Sequence, residues 1–139
     1  MIDINFQNGC VLIVGGSGGI GSLCAKQFAD EGAKVAITYF KNEKAANDVA
    51  SGINSNVEVY QLDNKDPVSV QSAMDDIAKK YGGINTIVNA AGFDIPQKFI
   101  ADIDIDLWKS VMDADINGFF NLIKSGLPYL RESKGSIVF

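Results

Sequence analysis

The residues with the clearest chemical meaning form a glycine-rich segment near the amino terminus. It reads Val14-Gly15-Gly16-Ser17-Gly18-Gly19-Ile20-Gly21, with glycines spaced Gly-x-x-x-Gly-x-Gly at positions 15, 19 and 21. Glycine permits a tight turn and lets backbone N–H groups approach a ligand, and a following helix N-terminus favours a pyrophosphate. Because an apolar run precedes this segment and a helical pattern follows it, we predict a dinucleotide phosphate site. The alternative is a flexible turn, in which five glycines would cost backbone entropy without a gain in packing.

Two further short segments follow predicted strands and end in residues that suit a ligand or a turn. The first is Asp63 with Asn64, in QLDNKD, and the second is Asn89-Ala90-Ala91-Gly92. Each segment also has a structural interpretation, since Asp63 is suited to a turn or helix cap and the second segment can simply end a strand.

The elements that must position these residues follow from hydrophobic periodicity. Five short β-branched runs alternate with helical patterns, which predicts a βαβαβαβαβ arrangement in one α/β domain over residues 1–139. The first run, GCVLIV, is apolar throughout and is typical of a central parallel strand covered on both faces. The predicted strands are 9–14, 33–40, 57–62, 84–89 and 136–139, and the predicted helices are about 19–32, 45–53, 66–81 and 107–129, with Asp104 or Asp106 capping the last.

Composition excludes several classes of function. The chain has 139 residues, 47% of them hydrophobic, which is enough for one globular core. Its 12 basic and 17 acidic residues give a net charge of −5, which disfavours nucleic acid and anionic membrane surfaces as partners. It contains no histidine, and Cys10 and Cys24 lack metal-like spacing, so we predict no metal site and interpret both thiols as buried packing residues. With neither a membrane span nor a signal peptide in the sequence, we predict a cytoplasmic protein.

Taken together, the motifs resemble those of the short-chain dehydrogenase/reductase family. VGGSGGIG, Asp63 after the third strand and Asn89-Ala-Ala-Gly92 after the fourth are similar to the TGxxxGIG, acidic-residue and NNAG series of that family. The similarity continues through Trp108, the Asp115-x-x-Gly118-x-Phe120 stretch and the strand start Gly135–Phe139, and it is strongest to members such as 3-oxoacyl-carrier-protein reductases.

The resemblance implies a doubly wound Rossmann fold with strand order 3-2-1-4-5 and an NAD(P)(H) cofactor over the glycine loop. It further implies that Asp63, with its neighbour Asn64, contacts the adenine, and that Asn89 to Gly92 line the nicotinamide side. The implied activity is hydride transfer between the nicotinamide and a carbonyl or alcohol substrate. Relatives commonly form dimers or tetramers through the long helix at 107–129, so we expect a homo-oligomer.

The end of the second strand bears on the choice of dinucleotide. An acidic residue there would bind the ribose 2′-hydroxyl and repel a 2′-phosphate, but residues 38–40 are Thr-Tyr-Phe and Lys41 follows. Tyr39 and Lys41 are therefore predicted cofactor residues, with NADP(H) favoured over NAD(H). Glu43 is interpreted as a first-turn charge of the next helix and not as a ribose ligand. Gly18 lies where many NADP-using relatives have Arg, which counts against NADP(H). The missing acidic residue also disfavours a methyltransferase.

The implied catalytic group of the family is an Asn, a Ser and a Tyr-x-x-x-Lys pair. Counting back from Gly118, the Asn position holds Asp115, a carboxylate that only accepts hydrogen bonds, so the family's proton relay would not operate in the same form. Helical spacing predicts one buried apolar face that carries Asp115 and one polar face. The first contains Trp108, Val111, Met112, Asp115, Phe119 and Leu122, and the second contains Asp113, Asn117, Asn121 and Lys124.

The 139 residues contain no Tyr-x-x-x-Lys, and in the family that pair and the Ser lie beyond the position of Phe139. We therefore expect the amino-terminal portion of a longer oxidoreductase, truncated after the fifth strand and inactive or nearly so by itself. Val14 in place of Thr, Ala90 in place of Asn, and Asp115 favour the alternative, a non-catalytic NAD(P)-binding or interaction protein.

Overall fold

A computed structural model describes residue 6, residues 8–53 and residues 57–139, and within these ranges strands alternate with helices. The strands are β1 (Cys10–Val14), β2 (Val35–Tyr39), β3 (Val57–Gln61), β4 (Ile84–Asn89) and β5 (Ser136–Val138). They form one parallel sheet in the order β3-β2-β1-β4-β5, which confirms the predicted doubly wound α/β fold. The helices are α1 (Gly19–Asp30), α2 (Glu43–Ser51), α3 (Pro67–Tyr81), α4 (Ile105–Met112) and α5 (Gly118–Ser133). A 3-10 turn (Ile100–Asp102) precedes α4, and a π-helical turn (Asp113–Asn117) joins α4 to α5.

Strand β1 is central because both of its faces are covered. All five of its side chains are buried, and they alternate between two cores. Leu12 packs into a core with residues of α3 and α5, including Met74 and Leu122. Ile13 packs into the opposite core with residues of α1 and α2. The apolar GCVLIV run therefore reflects burial on two faces, as predicted. Cys10 is buried as predicted, whereas Cys24 is only partly buried.

Local signals determine several helix ends. The side chain of Asp66 accepts a hydrogen bond from the Val68 N–H (2.9 Å), and Pro67 occupies the first turn of α3. Gly82, in the left-handed conformation (φ 78°), ends that helix. Of the two predicted caps of α4, Asp104 is the one used, because its carboxylate accepts from the Leu107 N–H (2.8 Å). None of the helices in the described ranges is long and apolar enough to cross a bilayer.

The predicted single helix over 107–129 is wrong in one important respect. It consists of α4, the π-helical turn and α5, running from Ile105 to Ser133. A π turn adds about one residue, which rotates the following helix by about 100° relative to a continuous 3.6-residue pattern. The face assignment fails in part: Trp108 and Met112, predicted buried, are exposed, and Asn121, assigned to the polar face, is buried, whereas Leu122 is buried as predicted.

Candidate functional site

The four predicted site segments meet at the carboxyl edge of the sheet. The Gly16 N–H donates to the Thr38 carbonyl oxygen (3.0 Å), which joins the glycine loop to the end of β2. The Ala90 N–H donates to the Val14 carbonyl oxygen (2.9 Å), which joins the end of β4 to the end of β1. The Leu62 N–H donates to the Tyr39 carbonyl oxygen (2.9 Å), so the loop after β3 belongs to the same edge. This edge includes the crevice between β1 and β4, where the strand order reverses and ligands of such sheets bind.

Three glycines of the loop are required by close packing. Gly15 has φ +77°, and a Cβ there would lie 2.8 Å from the Ala91 Cα atom. A Cβ at Gly16 would lie 2.5 Å from the Ile37 Cβ atom, and one at Gly21 would lie 2.3 Å from the Gly15 carbonyl oxygen. The loop is therefore closed tightly between β4, β2 and α1. Among the described residues, a Cβ on Gly18 would meet only the Gly15 carbonyl oxygen, at an ordinary contact distance of 3.5 Å, so this part of the loop is open.

The N-terminus of α1 has the properties of an anion site. Its N-cap residue is Gly18, which has no side chain to accept from the first-turn N–H groups, and the first turn contains no acidic residue. Ser17 is half-buried, and Gly19 and Ile20 are exposed. Backbone donors, the positive end of the helix and room for a ligand therefore coincide, and this arrangement fits the phosphates of a dinucleotide.

A buried hydroxyl supports the loop from an unexpected position. Thr38 is 1% exposed, and its Oγ1 atom accepts a hydrogen bond from the Gly15 N–H (3.2 Å). Val14 lacks the hydroxyl of the threonine that begins the TGxxxGIG pattern. Thr38, on the neighbouring strand, supplies a hydroxyl to the same loop. The only sequence signal was a threonine inside the apolar run of β2.

Two lysine side chains lie near one aromatic ring beyond the end of β2. The Lys41 Nζ atom lies 5.1 Å from the centre of the Phe40 ring, and the Lys65 Nζ atom lies 5.4 Å from the same centre. Lys65 was not predicted as a site residue, because only the pairing of β3 with β2 brings its loop to Phe40. Glu43 lies in the first turn of α2 as predicted, and burial together with the Glu43 carboxylate raises the pKa of the half-exposed Tyr39.

Asp63 and Asn64 have distinct surroundings in the loop after β3. The Asp63 Oδ1 atom accepts from the Lys65 N–H (3.0 Å), so one carboxylate oxygen stabilises a local turn, and the Asp63 N–H donates to the Ser69 hydroxyl (3.0 Å). The Asn64 side chain instead lies against the π-helical turn, where its Nδ2 atom donates to the Ala114 carbonyl oxygen (3.0 Å). The side chain of Asn64 is thus engaged with the helical segment.

The structure also brings Asp115 to the segment Asn89–Gly92. The Asn89 Oδ1 atom accepts from the Ala91 N–H (3.3 Å), which stabilises a turn at the end of β4. The Asp115 Oδ1 atom accepts from the Phe93 N–H (3.0 Å), and a Cβ on Gly92 would lie 3.9 Å from that oxygen. Asp115 is half-buried, not fully buried as its predicted face implied. Its carboxylate has a backbone donor, and it lies at the same edge as the glycine loop.

Comparison with known proteins gives a consistent result. A family model described as short chain dehydrogenase matches residues 9–139. The chain is 32% identical over 132 residues to an uncharacterized oxidoreductase of Staphylococcus epidermidis, covering 91% of this chain and 55% of that protein. It is 31% identical over 135 residues to meso-2,3-butanediol dehydrogenase of Serratia marcescens, covering 97% and 53%. The chain therefore spans about half the length of these curated relatives.

Solved structures agree with the sequence comparison. The fold is similar to the crystal structure of a short chain dehydrogenase from Burkholderia cenocepacia in complex with NADP, with a TM-score of 0.81 and 31% identity. That similarity covers 91% of this chain and 52% of the other. A dehydrogenase/reductase from Sinorhizobium meliloti gives a TM-score of 0.82 at 28% identity, covering 88% and 50%.

Proposed function

This chain belongs to the short-chain dehydrogenase family, and on that premise we propose that it binds a nicotinamide dinucleotide for hydride transfer to or from a carbonyl or alcohol substrate. One observation carries the proposal. The glycine loop closes against β4 at the crevice where the strand order reverses, and it directs the uncapped N-terminus of α1 to the same place. A pyrophosphate satisfies this set of backbone donors without any further side chain.

The residues at this edge have separate roles in the proposed site. The backbone of Gly15 to Gly21 holds the pyrophosphate, and Asp63 accepts a hydrogen bond from the adenine. Asn89, Ala90, Ala91 and Gly92 form the wall on the nicotinamide side. When bound, the dinucleotide supplies or receives the hydride, and the protein holds the reacting groups in place. Asp115, which accepts from the Phe93 N–H, holds this wall against the helical segment.

We also propose that the cofactor is NADP(H) rather than NAD(H). Lys41 and Lys65 place two ammonium groups around Phe40 in a chain whose net charge is −5. A 2′-phosphate on the adenosine ribose would interact with both charges, whereas a 2′-hydroxyl gains little from them. Glu43, beside Tyr39, carries the opposite charge, and its position in the first turn of α2 is already stabilised by that helix.

Titration with NADPH and NADH tests both parts of this proposal. We expect NADPH to bind more tightly, and we expect Lys41→Ala and Lys65→Ala each to weaken NADPH binding about tenfold while leaving NADH binding unchanged. Lys44→Ala is the matched control, because Lys44 is exposed and paired with Asp48 (2.7 Å). Failure of both dinucleotides to bind would refute the function. Equal affinity for the two, insensitive to Lys65, would refute only the preference.

A second candidate is a non-catalytic protein that binds NAD(P)(H) to sense it or to engage a partner. Asp115 at the family's Asn position favours it, because a carboxylate cannot donate the hydrogen bond that an amide donates. Asp115→Asn distinguishes the candidates when introduced into the complete protein. An oxidoreductase that uses this position changes its turnover of NADPH with a panel of carbonyl compounds. A non-catalytic protein shows no turnover in either form but retains dinucleotide binding.

We further propose that the protein is a homo-oligomer assembled through α4 and α5. The exposed apolar residues of these helices and of the turn between them support this: Ile105, Trp108, Met112, Ile116 and Phe120 are each more than one-third exposed. Surfaces of this composition are typical of subunit contacts. Sedimentation of the wild type and of Trp108→Glu tests it, because a monomeric wild type would contradict the proposal.

A further inference from the structure

Two asparagine side chains join the loop after β3 to the helical segment that carries Asp115. The Asn64 Nδ2 atom donates to the Ala114 carbonyl oxygen (3.0 Å), across 50 positions of sequence. In the other direction, the Asn121 Nδ2 atom donates to the carbonyl oxygens of Asn64 (3.0 Å) and Lys65 (3.4 Å). Asn121 is 9% exposed, so this link is largely shielded from water. We propose that Asn64 is a positioning residue that sets the place of Asp115 in the site.

The π-helical turn (Asp113–Asn117) is stabilised from outside the helix. Turns with i→i+5 hydrogen bonds are rare, and they persist where neighbouring groups stabilise them, frequently at functional sites. Asn64 provides such a neighbour, because its amide gives an additional donor to a carbonyl group of the turn. The contact is possible because residue 118 is glycine. A Cβ at Gly118 would lie 2.6 Å from the Asn64 Nδ2 atom and 2.7 Å from its Cγ atom.

The carboxylate of Asp115 is oriented by the same turn. Asp115 follows Ala114 directly, so the direction of its carboxylate depends on the geometry of the turn. If the turn relaxed to a regular α-helix, the residues on one side of it would rotate by about 100° relative to the other, and Asp115 would leave the Phe93 N–H. Asn64 therefore acts on the Asn89–Gly92 wall through Asp115. The same loop contains Asp63, so one short segment influences both ends of the proposed dinucleotide site.

The inference rests on the proposed function only where it assigns Asp115 to the dinucleotide site. The experiment measures the Asp115–Phe93 contact directly. Asn64→Asp keeps the size of the side chain and removes its donor. The probe is the amide resonance of Phe93, together with its hydrogen exchange, and Asp115→Ala gives the reference for a lost contact. We expect Asn64→Asp to move the resonance toward its position in Asp115→Ala and to reduce protection about tenfold, while the amides of β1 keep theirs.

A second comparison keeps the test decisive if Asn64→Asp does not fold. Gly118→Ala should displace the Asn64 side chain and produce the same change at Phe93. Combined with Asn64→Ala, which empties the space, Gly118→Ala should cost less stability than in the wild type, so the two effects should be less than additive. Additive losses, or a Phe93 resonance and protection unchanged in Asn64→Asp and Gly118→Ala, would overturn the inference. Titration of the wild type with NADPH is a separate result, because its failure would refute the proposed function and leave the Phe93 readout intact.

Discussion

Substituting Gly21 by Ala tests the packing of the glycine loop with a change of one methyl group. The new Cβ would lie 2.3 Å from the Gly15 carbonyl oxygen, whereas C···O contacts are normally about 3.3 Å or longer. The loop and α1 must therefore separate by about 1 Å. Overpacking of this kind costs about 1–3 kcal/mol, and the better helix propensity of Ala returns up to about 1 kcal/mol. We expect a net loss of about 1–2 kcal/mol in the free energy of unfolding.

The matched control is Gly19→Ala in the same helix. A Cβ on Gly19 meets nothing within 4 Å, so this substitution should be neutral or should stabilise by up to about 1 kcal/mol. Urea unfolding of the two variants measures the difference. With a slope of about 2 kcal/mol per molar, the Gly21→Ala midpoint should fall about 0.5–1 M below that of the wild type at unchanged slope.

If Gly21→Ala and Gly19→Ala unfold at the same urea concentration, then the close approach of Gly15 to α1 does not limit the residue type at position 21. The loop would then be flexible enough to accept a Cβ, as in the alternative interpretation of the glycine segment.

Shifted pKa values at Tyr129, Asp75 and Cys10 affect the pH dependence of stability and the reactivity of the thiols. The Tyr129 hydroxyl donates to the Asp75 carboxylate. Burial and this contact raise the pKa of Tyr129 from 10.0 to about 12. The hydrogen bonds from Tyr129 and Gln71 lower the pKa of Asp75. The raised pKa of Tyr129 stabilises the fold below pH 10, and this stability is lost as the pH rises towards 12; the lowered pKa of Asp75 stabilises the fold at neutral pH, and this stability is lost in acid. We therefore expect the free energy of unfolding, measured by urea unfolding against pH, to decrease above pH 10 and in acid. Tyr129→Phe should weaken both pH dependences. Burial raises the pKa of Cys10 to about 12, so a thiol reagent at about pH 8 should modify Cys24 first and Cys10 only on unfolding; rapid modification of both in the native protein, measured by mass spectrometry, would contradict this.

The architecture could be predicted because its determinants are local. The apolar run of β1 and the bounds predicted for the third helix, 66–81, each depend on a few neighbouring residues, and the structure has them within one residue. The glycine loop is local only in part: Gly21 is limited by Gly15, six positions away, whereas Gly15 and Gly16 are limited by Ala91 and Ile37 on other strands. Asp115 at the edge of the site also followed from the motif, although its burial did not.

The remaining features depend on contacts between distant parts of the chain. A 3.6-residue pattern cannot reveal a π turn, and the groups that contact this one, such as Asn64, lie 50 positions away from the carbonyl that they bind. Likewise Lys65 meets Phe40 only after β3 pairs with β2. The order of strands and helices along the chain, and the edge at which the predicted site segments lie, thus follow from local periodicity and turn chemistry. Which side chains hold that edge in place depends on the folded chain, because those contacts form between distant segments that the sheet brings together.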